Sequence, residues 1–326
     1  MRNETNSVIR VEKWNISSIF RLTSKVILNM PPLYVQIEPT TKCNLKCRFC
    51  IRDDDVNSDM AFALFKSIID QLRRYKPFTK TIDLTGVGEP LLCENLIKMI
   101  KYAKGYGFST RFTSSFSTLD EAKMLDLIKG GLDCLYVSID GASKHTFEKL
   151  RAGACFEKVL ENIRLFIKTR KRLKHTKPIL LLRPTISSEN AHELPLFFKF
   201  AENLGADGLV FGDLINRENN HNCEYASAEL LTKKLWKKRK INIFNITKNF
   251  PPCITSCFIS FDGKILPCGY LTQIICRKNY SRFQLGDLNQ NSFSEIWFGR
   301  KYKQFKTQII ACNPHPQCAR VAKCFY

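Results

Sequence analysis

Several common features are missing from this sequence, and each absence closes off a class of protein. The opening residues, MRNETNSVIRVEK, are polar and charged, with no apolar stretch of signal-peptide type, so export is not indicated. No apolar run reaches the roughly 18 residues of a membrane-spanning helix, so none is expected. No polar tract dominates, which argues against bulk disorder. No Ser/His/Asp or Cys/His arrangement suggests triad-type chemistry. Acidic residues are scarce: 30 Asp and Glu face 51 Lys and Arg, a formal charge of +21.

What is present is a chain of 326 residues with 44% hydrophobic content. That suffices for a large core, as one large domain or one domain with an appendage. Fourteen cysteines is a high number for this length. Without an export signal the expected compartment is the reducing cytoplasm, where structural disulfides are rare. Metal binding, catalysis or burial then remain for the thiols. Cys93, Cys134, Cys155 and Cys223 stand apart from any motif and read as buried side chains. The positive excess gathers in two runs, Lys168–Lys177 and Lys233–Lys240. It fits an acidic electron donor, an acidic peptide, nucleic acid or an anionic surface, or simply solvated helix faces.

Residues 1–32 form a preamble whose apolar spacing (Ile16, Ile19, Phe20, Val26, Ile27) suggests an amphipathic helix ending before Pro31 and Pro32. From residue 33 strands and helices alternate. LYVQIEP (33–39), TIDLTG (81–86), STRFTSS (109–115), CLYVSIDG (134–141), PILLLRPTI (178–186) and DGLVFGDL (207–214) read as strands. Met60–Tyr75, Glu94–Gly105, Leu119–Lys129, Ala154–Arg172 and Ala191–Leu204 read as helices. The rhythm predicts an α/β fold with a parallel sheet and right-handed crossovers over 33–215. Six units are too few for a closed eight-stranded barrel. A partial (β/α)6 TIM-like barrel or a doubly wound sheet fits, with its site at the C-terminal strand ends. Residues 216–250 read as a linker or helix. Residues 251–326 are cysteine-rich and read as a small α+β metal-dependent module.

The segment IEPTTKCNLKCRFC (37–50) places Cys43, Cys47 and Cys50 on a loop directly after the first strand. By chance this spacing is expected only about 0.03 times in such a chain, so three idle thiols is a weak explanation. Three close thiolates suit iron–sulfur or zinc. No fourth zinc ligand lies nearby: the next cysteine is Cys93 and the nearest histidine is His145.

This CxxxCxxC loop after strand one resembles the signature of the radical S-adenosylmethionine (SAM) superfamily. The resemblance implies a 4Fe–4S cluster on Cys43, Cys47 and Cys50 with one iron left free to bind SAM. It extends over the first two-thirds of the chain. Phe49 matches the family's aromatic position at adenine. TGVGEP (85–90) resembles the family's Gly-Gly-Glu-Pro motif, with Val87 as a departure. It implies that Gly86, Gly88 and Glu89 meet the SAM amino group. VSIDG (137–141) implies that Ser138 and Asp140 meet the ribose. Arg183 is a candidate for the SAM carboxylate, with a structural Asp partner as the alternative.

The tail PPCITSCFISFDGKILPCGY (251–270) resembles the SPASM/twitch module of radical SAM maturases, with a hairpin turning at Asp262-Gly263. The following stretch 286–306 resembles the module's helical connector, and Trp297 in it reads as core. One auxiliary 4Fe–4S cluster is expected on Cys253, Cys257, Cys268 and one of the last three cysteines, Cys312, Cys318 or Cys324, with Cys276 as a spare. Zinc is the structural alternative. Two clusters lower the formal charge only to about +18.

The resemblance implies reductive SAM cleavage and hydrogen abstraction from a peptide, protein or cofactor precursor, with an acidic flavodoxin or ferredoxin as electron donor. Dehydrogenation of a small molecule is the other enzymatic reading. A non-catalytic iron–sulfur or zinc protein binding nucleic acid is the reading from a different class. Only the preamble precedes the first strand, short for the N-terminal peptide-binding domain of many peptide-modifying relatives.

Overall fold

The computed structural model describes residues 24–52, 56–213, 242–245, 253–273 and 275–310. In chain order, helix α1 (Ser24–Asn29) precedes strand β1 (Tyr34–Ile37), and α2 (Phe62–Leu72) leads to β2 (Thr81–Asp83). Next come α3 (Leu96–Gly105), β3 (Ser109–Ser114), α4 (Glu121–Lys129) and β4 (Cys134–Ser138). Two helices, α5 (Lys144–Leu150) and α6 (Phe156–Arg172), separate β4 from β5 (Ile179–Arg183) and the short β6 (Thr185–Ile186). Helix α7 (Leu194–Leu204), β7 (Gly208–Asp213) and β8 (Asn242–Asn245) follow. The C-terminal part holds β9 (Ser256–Ile259), β10 (Lys264–Leu266), β11 (Gly286–Asp287), α8 (Phe293–Trp297) and α9 (Arg300–Ile310).

The strands make one sheet in the order β11-β10-β9-β1-β2-β3-β4-β5-β7-β6, with β8 also on β7. Strands β1 to β5, β7 and β8 pair in parallel. This is the mixed α/β partial barrel expected from the strand–helix rhythm. Two elements differ from the sequence reading. Helix α5 is only seven residues long and depends on its Ser143 cap, which accepts from the Thr146 N–H. Strand β8 lies where a linker or helix was expected. Four residues beside a basic run give too short a pattern to signal a strand, and pairing with β7 decides it. The rest of 216–250, and most of the preamble, lie outside the described residues.

The two sheet faces have different chemistry. On the helix-covered face, Phe65, Ile68 and Ile69 of α2, Met99 and Ile100 of α3, and Phe112 of β3 are fully buried. Each such side chain contributes about 1.5–3 kcal/mol. The inner face is polar. Along β3 the pattern alternates, so Thr110 and Phe112 face the helices while Arg111 and Thr113 face inward. Arg111 Nε donates to Asp83 Oδ2 at 2.8 Å, and Tyr34 Oη donates to the same oxygen at 2.6 Å. Arg111 Nη1 reaches Tyr136 Oη at 3.2 Å. These groups line the inner space with an ionic layer in which each charge has a partner.

The C-terminal hairpin is a continuation of this sheet. Strand β9 pairs in parallel with β1, Tyr34 opposite Ser256, and β10 returns antiparallel. Gly263 turns the hairpin with φ +87, a conformation that favours glycine. Trp297 is fully buried core, as its sequence context predicts, and donates from Nε1 to the Met30 carbonyl at 2.8 Å.

Candidate active site

The loop after β1 is pinned at both ends. Thr41 N–H donates to the Ser58 carbonyl at 2.9 Å, and Lys42 Nζ pairs with Asp59 at 3.1 Å. Further on, Lys46 N–H and Arg48 N–H donate to the Ala152 and Leu150 carbonyls at 2.9 and 3.0 Å. Between these anchors stand three free thiols, Cys43 and Cys47 half-buried and Cys50 exposed. Burial pushes the Cys43 thiol up and the Cys47 thiol to about 11, the latter against the pull of Arg151. Phe49 is half-buried on the same loop.

The β2 end lies directly beneath this loop. A Cβ on Gly88 would sit 2.3 Å from the Thr40 carbonyl oxygen and 2.8 Å from that of Lys42. A Cβ on Gly86 would sit 2.2 Å from Glu38 Cγ. Glu89 N–H donates to the Lys42 carbonyl at 2.7 Å, which ties the two segments together. The Glu89 carboxylate is buried and accepts four hydrogen bonds from the chain. Oε1 takes Ser114 Oγ at 2.7 Å and Leu91 N–H at 3.1 Å, and Oε2 takes Ser115 N–H and Oγ, each at 2.7 Å.

The β4 end supplies the opposite wall. Asp140 is buried; its Oδ1 accepts from Thr185 N–H at 2.8 Å and its Oδ2 pairs with Arg151 Nη2 at 2.8 Å. Asn190 donates to the Asp140 carbonyl at 2.8 Å, and Glu193 accepts from Ala142 N–H at 2.6 Å, which fixes the turn after the strand. Ser138 is buried beside Arg183 in the ladder. Arg183 Nη1 donates to Thr113 Oγ1 at 3.1 Å and its guanidinium lies 5.9 Å from the Tyr136 ring centre. Among the described residues no carboxylate pairs with Arg183.

Two site residues escaped the sequence reading. Arg151, at the C-terminal end of α5, lies 4.0 Å from Cys47 Sγ through Nη1, and its buried Nε has no partner. Only the tertiary fold brings it to Cys47. Glu38, at the end of β1, is fully buried; it accepts from Val87 N–H at 3.1 Å and Phe261 N–H at 3.2 Å and pairs with Arg277 at 2.6 Å. Burial pushes its carboxyl up even against Arg277. A glutamate inside an apolar strand was its visible signal.

In the C-terminal part, Cys253 and Cys268 share one buried cluster with Phe258, Leu266 and Tyr280. Cys257 packs in the adjoining core cluster, and all three thiols act on the buried Tyr302 hydroxyl. Alternation along β9 sends Phe258 to that cluster and turns Cys257 to the helix-covered core with Val35 and Trp297. Cys253, Cys257 and Cys268 are all buried free thiols. Lys306 is buried nearby, its Nζ 3.8 Å from the Trp297 ring centre and without a hydrogen-bond partner. Burial pushes that ammonium down to about 7, against the pull of Cys257. Cys318, Cys324 and Cys312 lie outside the described residues. Cys93 is buried, and Cys134 and Cys276 are half-buried, but Cys155 is exposed, contrary to expectation. Cys223 lies outside the described residues.

The sequence model of the radical SAM superfamily matches residues 37–196, and that of the SPASM iron–sulfur cluster-binding domain matches residues 253–325. The chain belongs to the radical SAM superfamily. Its curated relatives include a tungsten-containing aldehyde ferredoxin oxidoreductase cofactor-modifying protein of Pyrococcus furiosus, 25% identical and covering 87% of this chain and 86% of the relative. An AdoMet-dependent heme synthase of Oleidesulfovibrio alaskensis is 23% identical over 83% of this chain and 76% of the relative. In fold, Streptococcus suis SuiB bound to S-adenosylmethionine matches with TM-score 0.69 at 13% identity, covering 85% of this chain and 68% of SuiB. The enzyme anSMEcpe with bound AdoMet matches with TM-score 0.66 at 15% identity, covering 90% of this chain and 96% of that one. This radical SAM chain is thus an enzyme of the kind that takes a 4Fe–4S cluster and SAM, with an auxiliary iron–sulfur domain. The non-catalytic nucleic-acid reading is set aside by that membership. No helix among the described residues is long and apolar enough to cross a membrane.

Proposed function

We propose that Cys43, Cys47 and Cys50 hold the SAM-binding cluster and that the enzyme abstracts hydrogen from a cofactor precursor within the partial barrel. The observation that carries this is the convergence on one loop of two strand ends. Gly88 packs under Thr40 and Lys42, and Arg151 bridges Cys47 and Asp140. The residues fit the group: three free thiols share a pinned loop, and a buried guanidinium nitrogen beside them still lacks an acceptor.

Cys43, Cys47 and Cys50 would hold a cluster that, when bound, would supply one-electron reductive cleavage of SAM for hydrogen abstraction from substrate. The chain's own residues position and shield that chemistry. Gly86 and Gly88 let the β2 end pack against Glu38 and the cysteine loop, beside the SAM amino group. Glu89 holds the β2 and β3 ends together and places negative charge near the ammonium. Ser138 and Asp140 face the ribose; each Asp140 oxygen keeps a second lone pair for a hydroxyl. Phe49 serves adenine. Arg151, rather than Arg183, stands nearest the three thiols and is our partner for the SAM carboxylate. Arg183 remains beside Tyr136 for either SAM or substrate. Cys253, Cys257 and Cys268 hold the auxiliary 4Fe–4S cluster, with one of Cys312, Cys318 and Cys324 from the tail.

The cofactor-precursor reading rests on the cofactor-modifying and heme synthase relatives. A peptide is the second candidate, since this fold in SuiB takes a precursor peptide. An acidic flavodoxin or ferredoxin in the cytoplasm supplies electrons, consistent with cysteines kept reduced. Anaerobic reconstitution should give about eight irons per chain. Reduced protein with SAM should release 5′-deoxyadenosine slowly. Equal release from a Cys43/Cys47/Cys50→Ala variant would overturn the assignment.

A further inference from the structure

The parallel strands place the three-cysteine loop and the auxiliary thiols Cys253 and Cys268 at opposite ends of the sheet. Cys43, Cys47 and Cys50 follow β1 at its C-terminal end. Cys253 precedes β9, which runs parallel to β1, and Cys268 follows the antiparallel β10. Both therefore lie at the N-terminal end of the strands, where the segments entering β2, β3, β4, β5 and β7 also gather.

Those entering segments, residues 73–80, 104–108, 129–133, 171–178 and 205–207, carry ten Lys and Arg against two acids, Asp133 and Asp207. Both acids are already committed. Asp133 pairs with Lys104 at 2.7 Å and Lys177 at 2.6 Å, and Asp207 pairs with the buried Arg170 at 2.6 Å. Arg73, Arg74, Lys76, Lys80, Lys171 and Lys174 are all exposed. Backbone hydrogen bonds stitch the segments into one surface. Ser109 N–H donates to the Lys80 carbonyl at 2.9 Å, Asp133 N–H to the Thr110 carbonyl at 3.1 Å, and Ile179 N–H to the Asp133 carbonyl at 3.0 Å. Phe78, 49% exposed, stands among the cations of residues 73–80.

Resting on the auxiliary-cluster assignment above, we infer that this basic end, with residues 73–80 nearest to Cys253 and Cys268, is the docking surface for an acidic electron-transfer protein that exchanges electrons with the auxiliary cluster rather than directly with the SAM-binding one. Charge complementarity steers such a partner, and an apolar side chain within a charged rim suits a protein interface. Nucleic acid fits less well, because a stacking platform needs several exposed aromatics and Phe78 stands alone in these segments.

The test uses the full, reconstituted enzyme and a purified acidic flavodoxin as probe. The variants Lys171→Glu/Arg172→Glu/Lys174→Glu and Lys76→Glu/Lys80→Glu should each weaken flavodoxin binding at least tenfold. The control Lys123→Glu/Lys144→Glu, at the opposite end, should leave it unchanged. Release of 5′-deoxyadenosine driven by dithionite should be unaffected in every variant. Its absence in the wild type would count against the active-site assignment, while flavodoxin binding is read separately. Equal weakening in the control, no flavodoxin binding, or tight binding of a short oligonucleotide that flavodoxin does not displace would each overturn the docking surface.

Discussion

Arg277 reaches across from the C-terminal part to pair with Glu38 at 2.6 Å, at the end of the first barrel strand. Glu38 is fully buried and Arg277 largely so, which makes this the ionic joint between the two family-matched regions. The same carboxylate braces Val87 in the glycine loop and Phe261 in the hairpin. The auxiliary region thereby helps to shape the SAM side of the molecule.

Removing one partner leaves a buried charge alone. Arg277→Leu should cost about 3–5 kcal/mol in urea unfolding. Burial raises the Glu38 pKa above its ordinary 4.5, so the native state takes up a proton more readily than the unfolded chain. The deficit of the variant should therefore shrink as pH falls toward 4.5. A deficit that grows on acidification would contradict this.

Arg151→Met should weaken SAM binding to the reconstituted enzyme at least tenfold, about 1.4 kcal/mol. Iron content at the first cluster should be retained, because the three thiols remain. Unchanged SAM affinity would transfer the carboxylate role to Arg183.

Gly88→Ala places a methyl group against two carbonyl oxygens of the cysteine loop. Backbone must move to make room, so iron retained per chain should fall, with little change in far-ultraviolet circular dichroism. Full iron loading would mean that the loop yields without disturbing Cys43.

Cysteine substitutions separate core from ligand. Cys253→Ala should lower iron by about four atoms per chain. Cys257→Ala should lower iron by the same amount if that thiol is a ligand. Unchanged iron in Cys257→Ala, with only lowered stability, would assign that thiol to the core.

Lys306 makes the stability of the cluster-free protein depend on pH. Its folded pKa, about 7, lies below its ordinary 10.5, so the unfolded chain binds more protons between those values. Stability should rise with pH across that window. Lys306→Met should flatten the rise, as read from urea midpoints at about pH 7 and about pH 9. A rise of the same slope in the variant would assign it to another group.

The strand–helix rhythm was legible because the strands are short and rich in apolar residues between helical stretches, ILLLR in β5 being the plainest. The cysteine loop and glycine motif were legible because their chemistry is local. Arg151 was invisible because it lies 104 positions from Cys47 in sequence. Glu38 had a signal in its apolar surroundings, but its partner Arg277 is 239 positions away.

By itself the sequence determined the order of strands and helices, the thiol loop and the hairpin turn, since each depends on spacing within a few residues. Only the tertiary structure decided that β9 joins β1, that Arg151 stands between Cys47 and Asp140, and that the two cysteine groups lie at opposite strand ends. Those relationships come from parallel pairing and long-range burial, which no local pattern of residues encodes.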